Sequence, residues 1–307
     1  MKILITGGAG FIGSHIVDKL VERGDEVVVV DNLSTGKKIN LDDRAKFYEM
    51  ELISTELEEV FKDENIDAVC HLAASTDVRK SIKDPLNDIE NNVSSLVNLL
   101  QLCSKYNVKR FVFSSTGGAL YGNTNILPTP EDHSTKPISP YGIDKLTGEH
   151  YLYYYNKIHG LPVTILRYSN IYGPRQDRKG EGGVVMIFIK NLIEDVQISV
   201  NGDGTQTRDF IYVEDVADIN ISAIDQETHN GFHVYNISSG VETSINQLYD
   251  MISKKLEINT KPIFFPATMG EISRSCLDNS LAKKELNTIS LFSLKDGIDK
   301  TIRYLKS

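Results

Sequence analysis

Two residues near the middle of the chain have the types and spacing for proton chemistry, Tyr141 and Lys145. Four positions apart on a helix, they share a face. A phenol in water ionises at about pH 10. An ammonium beside it favours the phenolate. Tyr141 then becomes a usable base near neutrality. The spacing alone discriminates little, because Tyr153 and Lys157 repeat it. Position separates the two pairs. Tyr141 follows Ser139-Pro140, a helix-start signal. Tyr153 sits in YLYYYN, about 18 Å further along the helix axis, where tyrosines read as packing residues. A second group of hydroxyls, Ser114, Ser115 and Thr116, precedes Gly117 and Gly118 at the end of a strand-like run. Such a hydroxyl can bond a substrate oxygen and the tyrosine, or simply make a turn.

The chain opens KILITGGAGFIGSHIVDKLVERG. Gly7, Gly10 and Gly13 stand three apart between an apolar strand and an amphipathic helix. A dinucleotide turn needs that arrangement: one glycine for the backbone conformation, one for close approach to pyrophosphate, one for helix packing on the strand. The helix start then presents N–H groups and a positive dipole end to phosphate. Asp31 ends the second strand, 18 residues after Gly13, where an acid bonds a ribose 2′-hydroxyl. A carboxylate there repels a 2′-phosphate, so NAD is expected rather than NADP.

These groups need a scaffold. Strand-like runs fall at 2–6, 26–31, 46–50, 67–73, 109–115 and 162–169. Helix-like segments lie between them at 12–23, 55–63, 87–106 and 140–159. Strands alternating with helices predict a doubly wound parallel α/β sheet of the Rossmann type, with ligands at its carboxyl edge. After about residue 170 the rhythm changes. Runs at 208–213 and 234–238 are expected to return to the sheet, and helices are expected at 183–194, 214–226, 244–256 and 294–305. Pro262 and Pro266 flank a short apolar strand, IFF. The resulting plan is an NAD-binding Rossmann domain over 1–170 with returning segments near 208–238, and a smaller, mainly substrate-binding lobe over 171–307.

Bulk properties narrow the class. With 307 residues and 40% apolar content, the chain can bury a real core. No apolar run reaches the roughly 20 residues of a membrane span, and the first strand begins at Lys2, which leaves no room for a signal peptide. Cys70, Cys103 and Cys276 form no Cys-x-x-Cys pair, which argues against a disulfide framework and a zinc site. The histidines show no metal spacing, and His71, at the end of a buried strand, reads as a hydrogen-bonded core residue. A net charge of −9 without a basic run points away from nucleic acid. A cytoplasmic enzyme without bound metal is expected.

Taken together, TGGAGFIG (6–13), Asp31 with NLSTG (32–36), HLAA (71–74), NN (91–92), SSTGGALYG (114–122), YGIDK (141–145), RYSNIYGPRQ (167–176) and TRDFIYVEDVAD (207–218) resemble the extended short-chain dehydrogenase/reductase family. Within it the likeness is greatest to the UDP-glucose 4-epimerases, and it covers nearly the whole chain. The resemblance implies Tyr141 as catalytic base, Lys145 as its partner and nicotinamide-ribose ligand, and Thr116 as the hydroxyl that many relatives fill with serine. It implies NAD contacts from Gly7, Gly10, Phe11, Ile12 and Gly13 in the loop and from Asp31, Asn32, Leu33, Ser34, Thr35 and Gly36 beyond the second strand. Glu51, Leu52, Leu72, Ala73, Ala74, Asn91 and Tyr168 complete that cofactor set. Asn170, Arg208 and Arg274 would join Thr116 and Tyr141 on a UDP-sugar, with Arg208 on the diphosphate. The implied reaction removes the C4 hydroxyl proton and hydride, lets the 4-keto sugar turn over, and returns hydride to the other face. A homodimer packing through the helices at 87–106 and 140–159 is also implied.

The sequence departs from the family pattern in places. Relatives that eliminate water or carbon dioxide carry an acid after the catalytic hydroxyl, where this chain has Gly117 and Gly118. That lowers the dehydratase and decarboxylase readings, with Glu131 and Asp132 as distant substitutes. Thr268-Met269-Gly270-Glu271 stands where a second diphosphate arginine is usual, which makes Arg274 the candidate replacement. Ser275 is small where a bulky residue restricts some relatives to unsubstituted hexoses, so N-acetylhexosamines are also expected to fit. The alternatives are another sugar-nucleotide enzyme of the family (uronate epimerase, dehydratase or reductase) and a non-catalytic NAD-sensing module.

Overall fold

Alternating strands and helices build the first part of the chain, because each short β-branched run is too apolar to stay exposed on either face. In the computed structural model, which describes residues 1–177, 183–226, 231–267, 272–286 and 292–306, these begin with β1 (Lys2–Thr6), α1 (Phe11–Arg23), β2 (Glu26–Asp31), β3 (Lys46–Glu49), α2 (Leu57–Glu64) and β4 (Ala68–His71). Then come α3 (Val78–Lys83), α4 (Pro85–Ile89), α5 (Ser95–Lys105), β5 (Arg110–Thr116), α6 (Gly117–Leu120), α7 (Pro140–His159), β6 (Val163–Tyr168) and β7 (Asn170–Tyr172). The remainder comprises α8 (Val184–Ile193), β8 (Ser199–Asn201), β9 (Thr207–Tyr212), α9 (Val213–Asp225), β10 (Phe232–Ile237), β11 (Glu242–Ser244), α10 (Ile245–Leu256), β12 (Ile263–Phe265), α11 (Ser280–Glu285) and α12 (Leu294–Lys306).

Seven strands form one sheet in the order β10-β6-β5-β4-β1-β2-β3, every pair parallel. This is the expected Rossmann-type α/β sheet. The direction of winding reverses between β1 and β4, which opens a crevice at the carboxyl edge. One face is covered by α1 and α9, through Ile16, Leu20, Val216 and Ala223. The other is covered by α2, α5 and α7, through Phe61, Leu99 and Leu152. A third cluster unites Tyr172, Phe188, Phe210, Leu248 and Ile298 from the later elements, and Phe11 of the glycine loop packs into it. No helix among the described residues is long and apolar enough to cross a membrane.

The later half departs from expectation in one respect. The run at 234–238 does return, as β10 beside β6. The run at 208–213 does not: β9 lies in a separate three-stranded sheet, parallel to β7 and antiparallel to β11. The chain leaves the main sheet after Tyr168, and Asn170 pairs opposite Phe210. The expected helix at 87–106 is also interrupted. It begins at Pro85, widens into a π turn over Glu90–Ser94, and resumes as α5. There the Ser95 hydroxyl donates to the Glu90 carbonyl at 3.0 Å, a local competitor for the helical ladder.

One buried carboxylate ties the later elements together. Asp209 on β9 is fully buried. It accepts from Ser239 N at 2.9 Å, Ser239 Oγ at 2.7 Å, Gly240 N at 3.1 Å and Leu277 N at 3.3 Å. Asp209→Ala leaves the buried Leu277 N and the half-buried Ser239 and Gly240 donors without this acceptor, and a buried donor left unsatisfied costs about 1–3 kcal/mol. The expected result is a destabilisation of roughly 3 kcal/mol or more in denaturant unfolding. A loss below about 1 kcal/mol would remove Asp209 from that role.

Candidate active site

The glycine loop crosses from β1 to α1 at the reversal of the sheet. Gly7 has φ +71°, and a Cβ on it would stand 2.7 Å from Ala73 N. A Cβ on Gly13 would overlap the Gly7 carbonyl oxygen. Neither position has room for a side chain. Gly10 caps α1 without a side-chain hydrogen bond, so the first N–H groups of the helix face a cavity of about 400 Å³ lined in part by Gly10, Phe11, Ile12 and Gly13. A side-chain-free cradle at a helix start suits a diphosphate.

Asp31 lies on the same cavity and is only 7% exposed. Its Oδ2 accepts from Ala9 N at 3.0 Å and its Oδ1 from Leu33 N at 2.8 Å. It therefore braces the glycine loop as well as facing the cavity. Burial pushes its pKa up, the two backbone N–H groups pull it down, and the nearby Glu51 raises it slightly. Glu51 holds Asn32 Nδ2 with both oxygens, at 3.0 and 2.9 Å.

At the other end, α7 begins with Ser139 as its cap. The Ser139 hydroxyl accepts from Gly142 N at 3.2 Å, and Pro140 takes the first turn. This start brings Tyr141 to the cavity wall beside Lys145, Ser114, Ser115 and Tyr168. Lys145 is buried. Its Nζ donates to the Ser114 carbonyl at 2.8 Å and lies 4.9 Å from the centre of the Phe113 ring. Burial and, secondarily, the Lys145 charge push the His71 pKa down to about 3. His71 is thus a neutral core residue bonded to Thr6 Oγ1 at 2.7 Å.

The cavity gathers most of the sequence-predicted cofactor residues: Gly7, Gly10, Phe11, Ile12, Gly13, Asp31, Asn32, Ser34, Thr35, Glu51, Leu52, Leu72, Ala73, Ala74, Asn91, Tyr141, Lys145 and Tyr168. Leu33 and Gly36 are not on its wall. Leu33 adopts a left-handed backbone at φ +57°, and Gly36 lets its loop pass Ala9 and Asp31, where a Cβ would meet atoms at 3.0 Å. Thr116, Asn170, Arg208 and Arg274 also lie off this wall. Thr116 Oγ1 caps α6 by accepting from Ala119 N at 3.2 Å. Arg208 Nη1 donates to the Thr207 carbonyl at 2.8 Å. The nearby carboxylates in the sequence, Asp209 and Asp215, are engaged elsewhere, Asp209 by Ser239, Gly240 and Leu277 and Asp215 by Phe292 N. Arg274 Nε donates to Glu242 Oε1 at 3.0 Å and its Nη2 to Glu242 Oε2. Its fork is thus turned to a carboxylate, which weakens its reading as a diphosphate ligand. Residues 268–271 lie outside the described residues.

Several wall residues had no role assigned from the sequence: Met50, Ser75, Thr76, Asp77, Lys80, Asn87 and Ser95. Most belong to α3, α4 and the segments flanking them. Asp77 was the available signal, an N-cap whose side chain accepts from Arg79 N and Lys80 N. The acids named as substitutes near the hydroxyl do not reach the wall: Glu131 Oε1 accepts from Asn236 N at 2.9 Å. Behind Gly117, the Leu277 side chain fills the space a Cβ would need.

The family model matching this chain is described as the NAD dependent epimerase/dehydratase family, over residues 3–238. The chain belongs to the NAD dependent epimerase/dehydratase family. Relatives match it along its whole length. It is 42% identical over 305 residues to a protein of Methanocaldococcus jannaschii named putative UDP-glucose 4-epimerase, covering 99% of this chain and 98% of that one. The crystal structure of UDP-glucose 4-epimerase with UDP-glucose from Thermotoga maritima superposes with a TM-score of 0.96 at 43% identity, covering 100% and 99% of the two chains. The Thermus thermophilus UDP-glucose 4-epimerase in complex with NAD gives 0.93 at 35% identity, covering 100% and 99%.

Next to Tyr141 and Lys145, this chain buries two acids against each other. Asp88 on α4 and Asp144 on α7 are 2% and 4% exposed, and the Oδ2 of each has no hydrogen-bond donor among the described residues. Burial, then the hydrogen bond and charge of Asp88, push the Asp144 pKa up to about 7, against a smaller opposing effect of Lys145. The folded chain thus keeps a proton that an unfolded Asp releases at about pH 4. The stability this proton carries is complete below about pH 4 and is lost as pH rises through about 7. Asp144→Asn, which stays neutral, should raise the melting temperature relative to the parent at about pH 8 and change it little at about pH 5. An equal shift at both pH values would exclude the shared proton.

Proposed function

We propose that this chain epimerises a UDP-hexose at C4, interconverting UDP-glucose and UDP-galactose, with NAD held as a permanent cofactor. The observation that carries this reading is one cavity that joins a side-chain-free phosphate cradle and Asp31 to Tyr141 and Lys145. Gly10 to Gly13 and the start of α1 would hold the pyrophosphate, Asp31 the adenosine ribose, and Lys145 the nicotinamide ribose. When bound, NAD supplies a two-electron acceptor for the hydride of sugar C4 and gives that hydride back.

The protein's own residues do the proton work. Tyr141 takes the C4 hydroxyl proton as the hydride leaves and returns it to the 4-keto oxygen in the second half-reaction. Lys145, buried beside it, favours the phenolate. Thr116, at the half-exposed end of β5 beyond the cofactor wall, would meet the sugar together with Asn170. Arg208 would bind the diphosphate, where its planar fork matches phosphate oxygens. Gly117 and Gly118 supply no acid after the hydroxyl of the kind an elimination would need, which favours epimerisation over dehydration or decarboxylation. The half-buried Ser275 supports acceptance of N-acetylhexosamines as well.

The three cysteines are buried thiols, which fits a cytoplasmic location. Ile82, Leu86, Ile89 and Ile143 are exposed apolar side chains on α3, α4 and α7, three helices that pack on one another, which supports a homodimer packed through this region. Leu86→Glu should convert the protein from dimer to monomer in light scattering; an unchanged mass would refute the interface.

Purified protein should convert UDP-galactose to UDP-glucose without added reductant. A panel with UDP-N-acetylglucosamine and UDP-glucuronate then fixes the sugar. If no UDP-hexose or UDP-N-acetylhexosamine is interconverted, the reading is overturned, and turnover of UDP-glucuronate alone points to the uronate epimerase alternative. Tyr141→Phe should keep NAD bound yet lose about 10²-fold or more in kcat. Full activity of that variant would remove Tyr141 from the mechanism, and a non-catalytic NAD sensor would be indifferent to it.

A further inference from the structure

Glu149 stands one helical turn beyond Lys145 on α7, as Lys145 stands one turn beyond Tyr141. The proposed chemistry has no use for it, yet it is only 6% exposed. A carboxylate persists at such a site when its partners satisfy it. Its Oε1 accepts from Ser115 Oγ at 2.6 Å and from Arg167 Nε at 3.0 Å, and its Oε2 accepts from Arg167 Nη2 at 2.6 Å. Arg167, on β6, is equally buried. Its Nη1 donates to Tyr121 OH at 2.9 Å and to the Glu131 carbonyl at 3.0 Å. Tyr121 OH donates in turn to Asn236 Oδ1 on β10 at 2.8 Å. One carboxylate therefore ties α7 to β5, β6 and the segment between 121 and 131.

The consequence is a register. Ser115 adjoins Ser114, whose carbonyl receives Lys145 Nζ. Two consecutive residues of β5 thus hold two consecutive turns of α7. The lysine stem is flexible and its ammonium is a point charge, whereas the guanidinium–carboxylate fork has fixed geometry. The rigid contact is the one at Glu149. We propose that Glu149, braced by Arg167 and Ser115, is a positioning residue that sets α7 on β5 and thereby holds the Lys145 ammonium where it activates Tyr141. This rests on the reading of Tyr141 as the base and Lys145 as its partner.

Glu149→Gln is the direct variant, but it strands the Arg167 charge, which endangers folding and would itself favour a phenolate. Ser115→Ala is therefore the deciding variant, because it keeps the ion pair and frees only the bolt to β5. The readout is the pH at which the Tyr141 phenolate forms in the NAD-loaded protein. It is taken as the ultraviolet absorbance difference between each protein and its Tyr141→Phe counterpart. The midpoint should rise by about half a pH unit or more in Ser115→Ala. With UDP-galactose, kcat should fall about tenfold, KM should stay within about twofold, and the basic form should be required at correspondingly higher pH. A lower melting temperature with an unchanged phenolate midpoint would mean a merely structural contact and overturn the proposal. The absorbance readout needs no turnover, so failure of the epimerase reading and failure of the positioning role remain distinguishable.

Discussion

Between β1 and β4 the chain comes so close to itself at Gly7 that any side chain there would press on the backbone of Leu72 and Ala73. That approach closes one end of the crevice where the winding of the sheet reverses, and it sets where α1 begins. Because α1 starts uncapped, its N–H groups are offered to the cavity. Asp31 holds the loop in this place through Ala9 N. One close contact thus fixes both the phosphate cradle and the carboxylate beside it. A methyl group at Gly7 or Gly13 would disturb all of these together.

The opposite end of the cavity depends on charge rather than close approach. Lys145, Glu149, Arg167, Asp88 and Asp144 are all buried around α7 or near it. Such groups are costly unless matched, and here the matching is geometric. The ammonium is met by a carbonyl, the guanidinium by a carboxylate fork, and the two acids by each other. Tyr141 shares the cavity wall with Lys145, one turn before it on α7. This makes α7 a carrier of chemistry whose placement is decided by polar contacts on its inner face.

The later elements are joined to this site through different interactions. Phe11 reaches from the glycine loop into the third core cluster, and Asp209 gathers β9, the turn at 239–240 and the segment at 276–277. The segment at 276–277 carries Leu277, which packs on Gly117 just beyond Thr116. The floor of the proposed sugar site is therefore built from parts far apart in sequence. Arg274 illustrates the point: its residue type fits a phosphate, but Glu242 occupies its fork.

The parallel sheet, the glycine turn, Asp31 and the Tyr141–Lys145 pair were legible in the sequence, because each is encoded by a local run of residue types. Strand periodicity, helix-start signals and glycine spacing act over a few residues, and so does their physical cause. The cavity wall from α3 and α4 was not legible, since a helix as short as Val78–Lys83 has no period to read. The departure of β9 from the main sheet was hidden too, because a strand's sequence does not name its partner. The buried pairs Glu149–Arg167 and Asp88–Asp144 look like ordinary surface charges in the sequence. Sequence alone determined which chemistry the chain carries and which cofactor turn it makes. Only the tertiary structure decided which hydroxyls and charges face that chemistry, because burial and hydrogen-bond partners are set by segments tens to hundreds of residues away.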